Sequence, residues 1–174
     1  MLDRLELADA HLVGHSWGGQ IALRAALDHP ERVTRLSIVC SRAAPFPSFH
    51  AVAAGLRAGT ADRAASLARW FDPDELSRPD PLVAAVRARL EDADTEAWGR
   101  ALDMIAAFDL LDELSRIEVP VDVVAASHDG VGDPGHMARI AAGVLHGELH
   151  VVAGAHHLLP LQRPDLVAAA LKMR

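Results

Sequence analysis

Gly14-His15-Ser16-Trp17-Gly18-Gly19 joins two segments of different periodicity. Before it, residues 9–14 (Asp-Ala-His-Leu-Val-Gly) form a short apolar run that reads as a buried strand. After it, Ile21, Ala22, Ala25 and Ala26 share one face of a helix spanning Gly18 to Asp28, which His29-Pro30 stops. A G-x-S-x-G between strand and helix implies a tight bend, with the serine in a strained backbone conformation and its hydroxyl clear of the strand. Side chains two residues to either side would collide there, so Gly14 and Gly18 are expected to relieve the crowding.

The same alternation continues downstream. Val33–Val39, Val121–Ala126 and Glu148–Val152 read as further strands. Asp133-Pro134 supplies an N-cap and first-turn proline for a helix reaching about His146, and a last helix begins near Pro164 with Leu166, Val167, Ala170 and Leu171 on one side. Strands alternating with helices predict an α/β fold with a parallel sheet. Residues 45–116 break the rule: no strand is evident, and Ala/Leu/Arg-rich helices have starts at Thr60, Asp72-Pro73, Asp80-Pro81 and Asp94. The expected organisation is a core of residues 1–44 and 117–174 with a helical insertion over 45–116.

Composition narrows the class of partner. The 174 residues carry 17 Lys+Arg against 24 Asp+Glu, a net −7, and the positive charges are scattered, which disfavours nucleic acid. No run approaches a membrane span, and the first residues lack the basic and apolar regions of a signal peptide. Cys40 is the single cysteine, so no disulfide forms within the chain, and a reducing, cytoplasmic setting is expected. At the end of its strand, Cys40 reads as a small core residue.

A serine hydroxyl is a poor nucleophile at neutral pH; it needs a histidine base and a carboxylate to orient that base. Asp129 follows the strand Val121–Ala126, and His156-His157 follow Glu148–Val152, so both lie at the same sheet edge as Ser16. Asp133 is the other candidate acid, but its place before Pro134 suits a helix N-cap better. Adjacent His156 and His157 cannot point the same way. A metal could be held by His128, Asp129, Asp133 and His136, although their spacing matches no standard site, so no metal is expected. His15 reads as a variable position of the bend. Trp17 N–H, opening a helix, faces where an oxyanion would develop. Trp70-Phe71 and Trp98 belong to the insertion, where packing is the first explanation and a share in a substrate pocket, for Trp70, the second.

Together these residues resemble the α/β-hydrolase family: Ser16 in Gly-His-Ser-Trp-Gly-Gly, Asp129 after the third strand, a histidine near the end, and a helical cap between strands. His157-Leu-Leu-Pro-Leu-Gln-Arg-Pro resembles the segment following the family's catalytic histidine, which selects His157 over His156. The cap stretches Leu56-Arg57-Ala58-Gly59, Ala68-Arg69-Trp70-Phe71 and Ala106-Ala107-Phe108-Asp109-Leu110, followed by Arg116-Ile117-Glu118-Val119-Pro120, are similar to those of 3-oxoadipate enol-lactonases. Ala126-Ser127 and Gln162 depart from that pattern, where a glycine-containing turn and a glutamate are usual.

The resemblance implies a serine hydrolase of a small carboxylic ester or lactone, with catalytic Ser16, Asp129 and His157, an oxyanion donor at Trp17, Trp70 against the substrate, and no cofactor. Carbon–carbon bond hydrolysis, aminopeptidase action and perhydrolysis use the same triad, and a noncatalytic remnant is the alternative of another class. It also implies about four strands ahead of the elbow strand and a second oxyanion N–H from a loop among them. Here only about four strands are expected in all, with the amino-terminal ones missing. The uncovered edge of the elbow strand would then be a surface for self-association.

Overall fold

After Pro120, the run Val-Asp-Val-Val-Ala-Ala is buried at every position, which a strand achieves only with cover on both faces. A computed structural model, describing residues 2–171, places it third of four parallel strands. These are β1 (Ala10–His15), β2 (Val33–Val39), β3 (Pro120–Ala126) and β4 (His146–Val152), side by side in chain order. The helices are α1 (Trp17–Asp28) after β1 and α2 (Ser48–Ala58), α3 (Arg63–Trp70), α4 (Pro73–Ser77), α5 (Pro81–Glu91) and α6 (Thr95–Ala107) between β2 and β3. Then come α7 (Pro134–Gly143) between β3 and β4, and α8 (Leu159–Gln162) and α9 (Pro164–Ala170) after β4. The expected parallel α/β sheet is therefore present.

Two compact units divide the chain: residues up to Ala44 with those from Asp109 onward, and Pro45–Phe108. In the first, α1 buries Ala22, Leu23, Ala26 and Leu27, and α7 buries Met137 and Ile140. A second cluster joins Val39, Cys40, Val124, Ala126, Ala155, Leu159, Val167 and Leu171. Each fully buried Leu, Ile or Val contributes about 1.5–3 kcal/mol, so Leu36 and Ile38 at the centre of β2 are major anchors. The outer edge of β1 has no strand partner among the described residues, and Val13 is 53% exposed there. No described helix is long and apolar enough to cross a membrane.

In the second unit, α2 packs on α6; α2 buries Phe49, Ala53 and Leu56, and α6 buries Gly99, Leu102 and Ala106. Asp72, Asp80 and Asp94 cap their helices as expected, each accepting from backbone N–H groups of the first turn. The expected start at Thr60 is corrected: Gly59 takes a left-handed φ of 70° to end α2, Thr60 N–H donates back to the Gly55 carbonyl, and Asp62 caps α3. No start for α2 was expected because its N-cap is Pro47, which offers no side-chain acceptor.

Two further boundaries differ from expectation. The second unit ends at Phe108 and not at residue 116: Leu110 N–H donates to the Ala43 carbonyl at 2.8 Å, and Leu110, Leu114 and Ile117 are buried. Tertiary burial of the 3-10 turn Leu111–Arg116 outweighs its sequence continuity with the helices before it. Likewise α7 stops at Gly143, short of His146, because His146 and Gly147 pair with Pro120 and Val121. A Cβ at residue 147 would lie 2.2 Å from the Ala141 carbonyl oxygen, so the glycine lets β4 begin against the helix end.

Candidate active site

Parallel strands bring their carboxyl ends to one edge, and backbone hydrogen bonds tie the exits together. Ser16 N–H donates to Val39, Cys40 N–H to Val124, Ser127 N–H to Val152 and His128 N–H to Ala155, all at 2.9–3.0 Å. At the first exit Ser16 has φ 54° and ψ −122°, a conformation that costs about 1–3 kcal/mol in a residue with a side chain. Trp17 opens α1, so its amide sits at the positive end of the helix. The crowding falls differently from expectation. A Cβ at Gly14 would lie 2.3 Å from the Gly18 carbonyl oxygen and one at Gly19 2.6 Å from the Ser41 side chain, but at Gly18 it would meet open space.

Ser16, His157 and Asp129 converge at this edge. Ser16 Oγ lies 2.9 Å from His157 Nε2, and His157 Nδ1 lies 2.9 Å from Asp129 Oδ2. Asp129 and His157 are 3% and 4% exposed, while Ser16 is only half-buried. The carboxylate can only accept, so the imidazole proton belongs on Nδ1 and Nε2 is left to accept from the serine hydroxyl. The second carboxylate oxygen, Oδ1, accepts from Val131 N–H at 2.7 Å.

The neighbouring candidates point elsewhere. His156 stacks edge-on against His128, with ring centroids 5.3 Å apart. Asp133 caps α7 through His136 N–H and pairs with His136 Nδ1 at 2.5 Å. His128, Asp129, Asp133 and His136 therefore do not converge on a common point. Among the described residues the group with metal-ligand geometry is Asp122, Glu148 and His150, and there Arg35 already donates to both Asp122 oxygens at 2.7 and 2.8 Å. Trp70 ends α3 in the second unit and is half-buried.

Sequence reasoning passed over His15. Its Nε2–H donates to the His157 carbonyl at 2.7 Å, and the two rings lie 5.0 Å apart. Burial, reinforced by repulsion from His157, pushes the His15 pKa down to about 4 and keeps the ring neutral. The available signal was position: a histidine beside the serine at a strand end must share the edge reached by His157. Cys40 is fully buried as expected, and burial together with the nearby Asp129 carboxylate raises its thiol pKa.

Known proteins carry the same framework. A 3-oxoadipate enol-lactonase of Acinetobacter baylyi is 27% identical over 161 residues, which is 90% of this chain and 60% of that relative. A hydrolase from Pseudomonas aeruginosa superposes with a TM-score of 0.90 at 30% identity, covering 99% of this chain and 68% of its own. The enol-lactonase of Burkholderia xenovorans gives a TM-score of 0.87 at 26% identity, covering 99% and 69%. This chain thus spans about 60% of the length of the curated relative it matches. The model of the alpha/beta hydrolase family matches residues 1–170, and the chain belongs to that family.

Proposed function

We propose that this site hydrolyses a small carboxylic ester or lactone, with an enol-lactone as the leading substrate class. The observation that carries the reading is the continuous hydrogen-bond line from Ser16 Oγ through His157 to Asp129, at 2.9 Å on each side of the imidazole. Ser16 Oγ attacks the substrate carbonyl carbon while its proton passes to His157 Nε2. Asp129 holds the Nδ1 proton and stabilises the imidazolium. The oxyanion forms beside Trp17 N–H at the start of α1. Collapse breaks the carbon–oxygen bond, and His157 returns its proton to the leaving oxygen, which in a lactone stays tethered to the acyl group. Water, deprotonated by His157, then attacks the acyl carbon, and as the acyl–Oγ bond breaks His157 returns that proton to Ser16 Oγ, releasing the acid. The enol-lactonases among the relatives support the choice of substrate class.

The test is covalent capture followed by substrate profiling. A fluorophosphonate is expected to label Ser16 in the parent chain and to leave Ser16→Ala unlabelled. Enol-lactones and short esters are expected to turn over ahead of amides, peroxide-dependent reactions and carbon–carbon substrates. Equal labelling of parent and Ser16→Ala would refute the assignment of the nucleophile.

A further inference from the structure

The segment that leaves β2 touches both ends of the serine–histidine–aspartate line. Cys40, at φ 46°, donates its N–H to Val124 and turns the chain across the end of β3. Ser41 then donates its hydroxyl to the Ser16 carbonyl at 2.7 Å, and it occupies the space that a side chain at Gly19 would need. Arg42 is only 5% exposed; its Nη1 donates to the Val131 carbonyl at 3.1 Å and its Nε to the Ala44 carbonyl at 2.9 Å. Val131 is the residue whose N–H donates to Asp129 Oδ1 at 2.7 Å. A Cβ on Gly132 would fall 2.5 Å from backbone atoms of Cys40 and Ser41, so the two loops meet backbone to backbone.

The guanidinium is also held from its far side. Arg42 Nη2 lies 2.8 Å from His136 Nε2, and His136 Nδ1 lies 2.5 Å from Asp133 Oδ2. A guanidinium has donors only, so His136 accepts at Nε2 and gives its Nδ1 proton to Asp133. A buried guanidinium is tolerated only where its donors meet well-placed acceptors. Here one of those acceptors is the main chain of the loop that carries Asp129, and the geometry is specific to a planar fork in a way a lysine amine does not reproduce.

We infer that Arg42 is a positioning residue: through the main chain of Val131 it fixes the Asp129 carboxylate against His157 Nδ1, while Ser41 beside it fixes the Ser16 bend. The catalytic consequence rests on the hydrolase reading above; the positional one does not.

The experiment compares parent, Arg42→Met, Arg42→Lys and Ser16→Ala by two readouts. The first is the far-downfield proton resonance of a His157 Nδ1–H bonded to a carboxylate. The second is the rate constant of fluorophosphonate labelling, read separately from the fraction of protein labelled. Arg42→Met is expected to lose or broaden the resonance and to label about 10- to 100-fold more slowly, at an unchanged final fraction. Arg42→Lys is expected to fall between it and the parent. Ser16→Ala is expected to keep the resonance. If Arg42→Met gives no folded protein by circular dichroism, Arg42→Lys decides, because one amine cannot serve Val131, Ala44 and His136 together. A folded Arg42 variant with the parental resonance and a rate within about twofold of the parent overturns the inference. A parent that is not labelled at all, with the resonance still dependent on Arg42, would instead remove the hydrolase reading and leave the positioning role standing.

Discussion

His15 donates its Nε2–H to the main-chain carbonyl of His157 across 2.7 Å, so the residue before the candidate nucleophile holds the backbone of the candidate base. The bond joins the end of β1 to the loop after β4, the two outer strands of the sheet. It works only while His15 carries its proton on Nε2, and the low pKa of the ring keeps the other nitrogen bare across the neutral range.

The same burial makes His15 a source of acid sensitivity. Its pKa is about 4 when folded against 6.5 for the free side chain, so between these values the unfolded chain binds more protons and stability rises with pH. Lowering the pH from above 6.5 to below 4 should remove about 3 kcal/mol through this residue. Urea unfolding at a series of pH values should show a shallower decline for His15→Phe than for the parent; parallel curves would exclude His15 as the source.

Glycines 14 and 18 should respond oppositely to alanine. At Gly14 the new Cβ would meet the backbone of Gly18 at 2.3 Å, so the bend must open. A loss of about 1–3 kcal/mol in stability and a marked loss of Ser16 labelling are expected. At Gly18 the position is open and helical, and alanine should be neutral or stabilising by up to about 1 kcal/mol. Thermal melts of the two variants check this directly.

Asp129→Asn should keep the packing and fail in chemistry. An amide can accept only at one atom, so it cannot both receive Val131 N–H and hold the Nδ1 proton of His157 as the carboxylate does. Turnover of a reactive ester should fall about 10⁴-fold. Asp133→Asn, whose carboxylate binds His136 instead, should stay within about tenfold of the parent.

Stability should separate the strand-bearing unit from the helical one. Leu36→Ala, at a fully buried site in β2, is expected to cost about 2–5 kcal/mol. Asp80→Ala removes an acceptor for Leu82 and Val83 N–H at the start of α5 and should cost about 1 kcal/mol. Denaturant midpoints of the two variants test the ranking.

The strands and the strand-to-helix bend were legible because their determinants are local. Val33–Val39 is bounded as expected, and the Asp-Pro helix starts at residues 72 and 80 appear where one side chain and one ring dictate them. The expected start at Thr60 does not hold because two separate signals in an Ala-rich stretch, Gly59 closing one helix and Asp62 opening the next, flank it. The end of α7 was misplaced because pairing with β3 decided it, and pairing is not a local property.

Local pattern was enough for the parallel α/β class, the bend at Ser16 and the strand ends that carry Asp129, His156 and His157, since short-range periodicity and turn chemistry suffice for each. The preference for His157 over His156 came from the resemblance of the segment that follows it, and the fold supplies its physical basis: His157 faces Ser16 while His156 turns to His128. The fold also sets the crowding of the bend on Gly14 and Gly19 and not on Gly18. It alone decided that Arg42 reaches the Asp129 loop through Val131. These depend on side-chain directions and loop contacts between segments about 20 to 140 residues apart, which a parallel sheet brings to one edge and which no local pattern encodes.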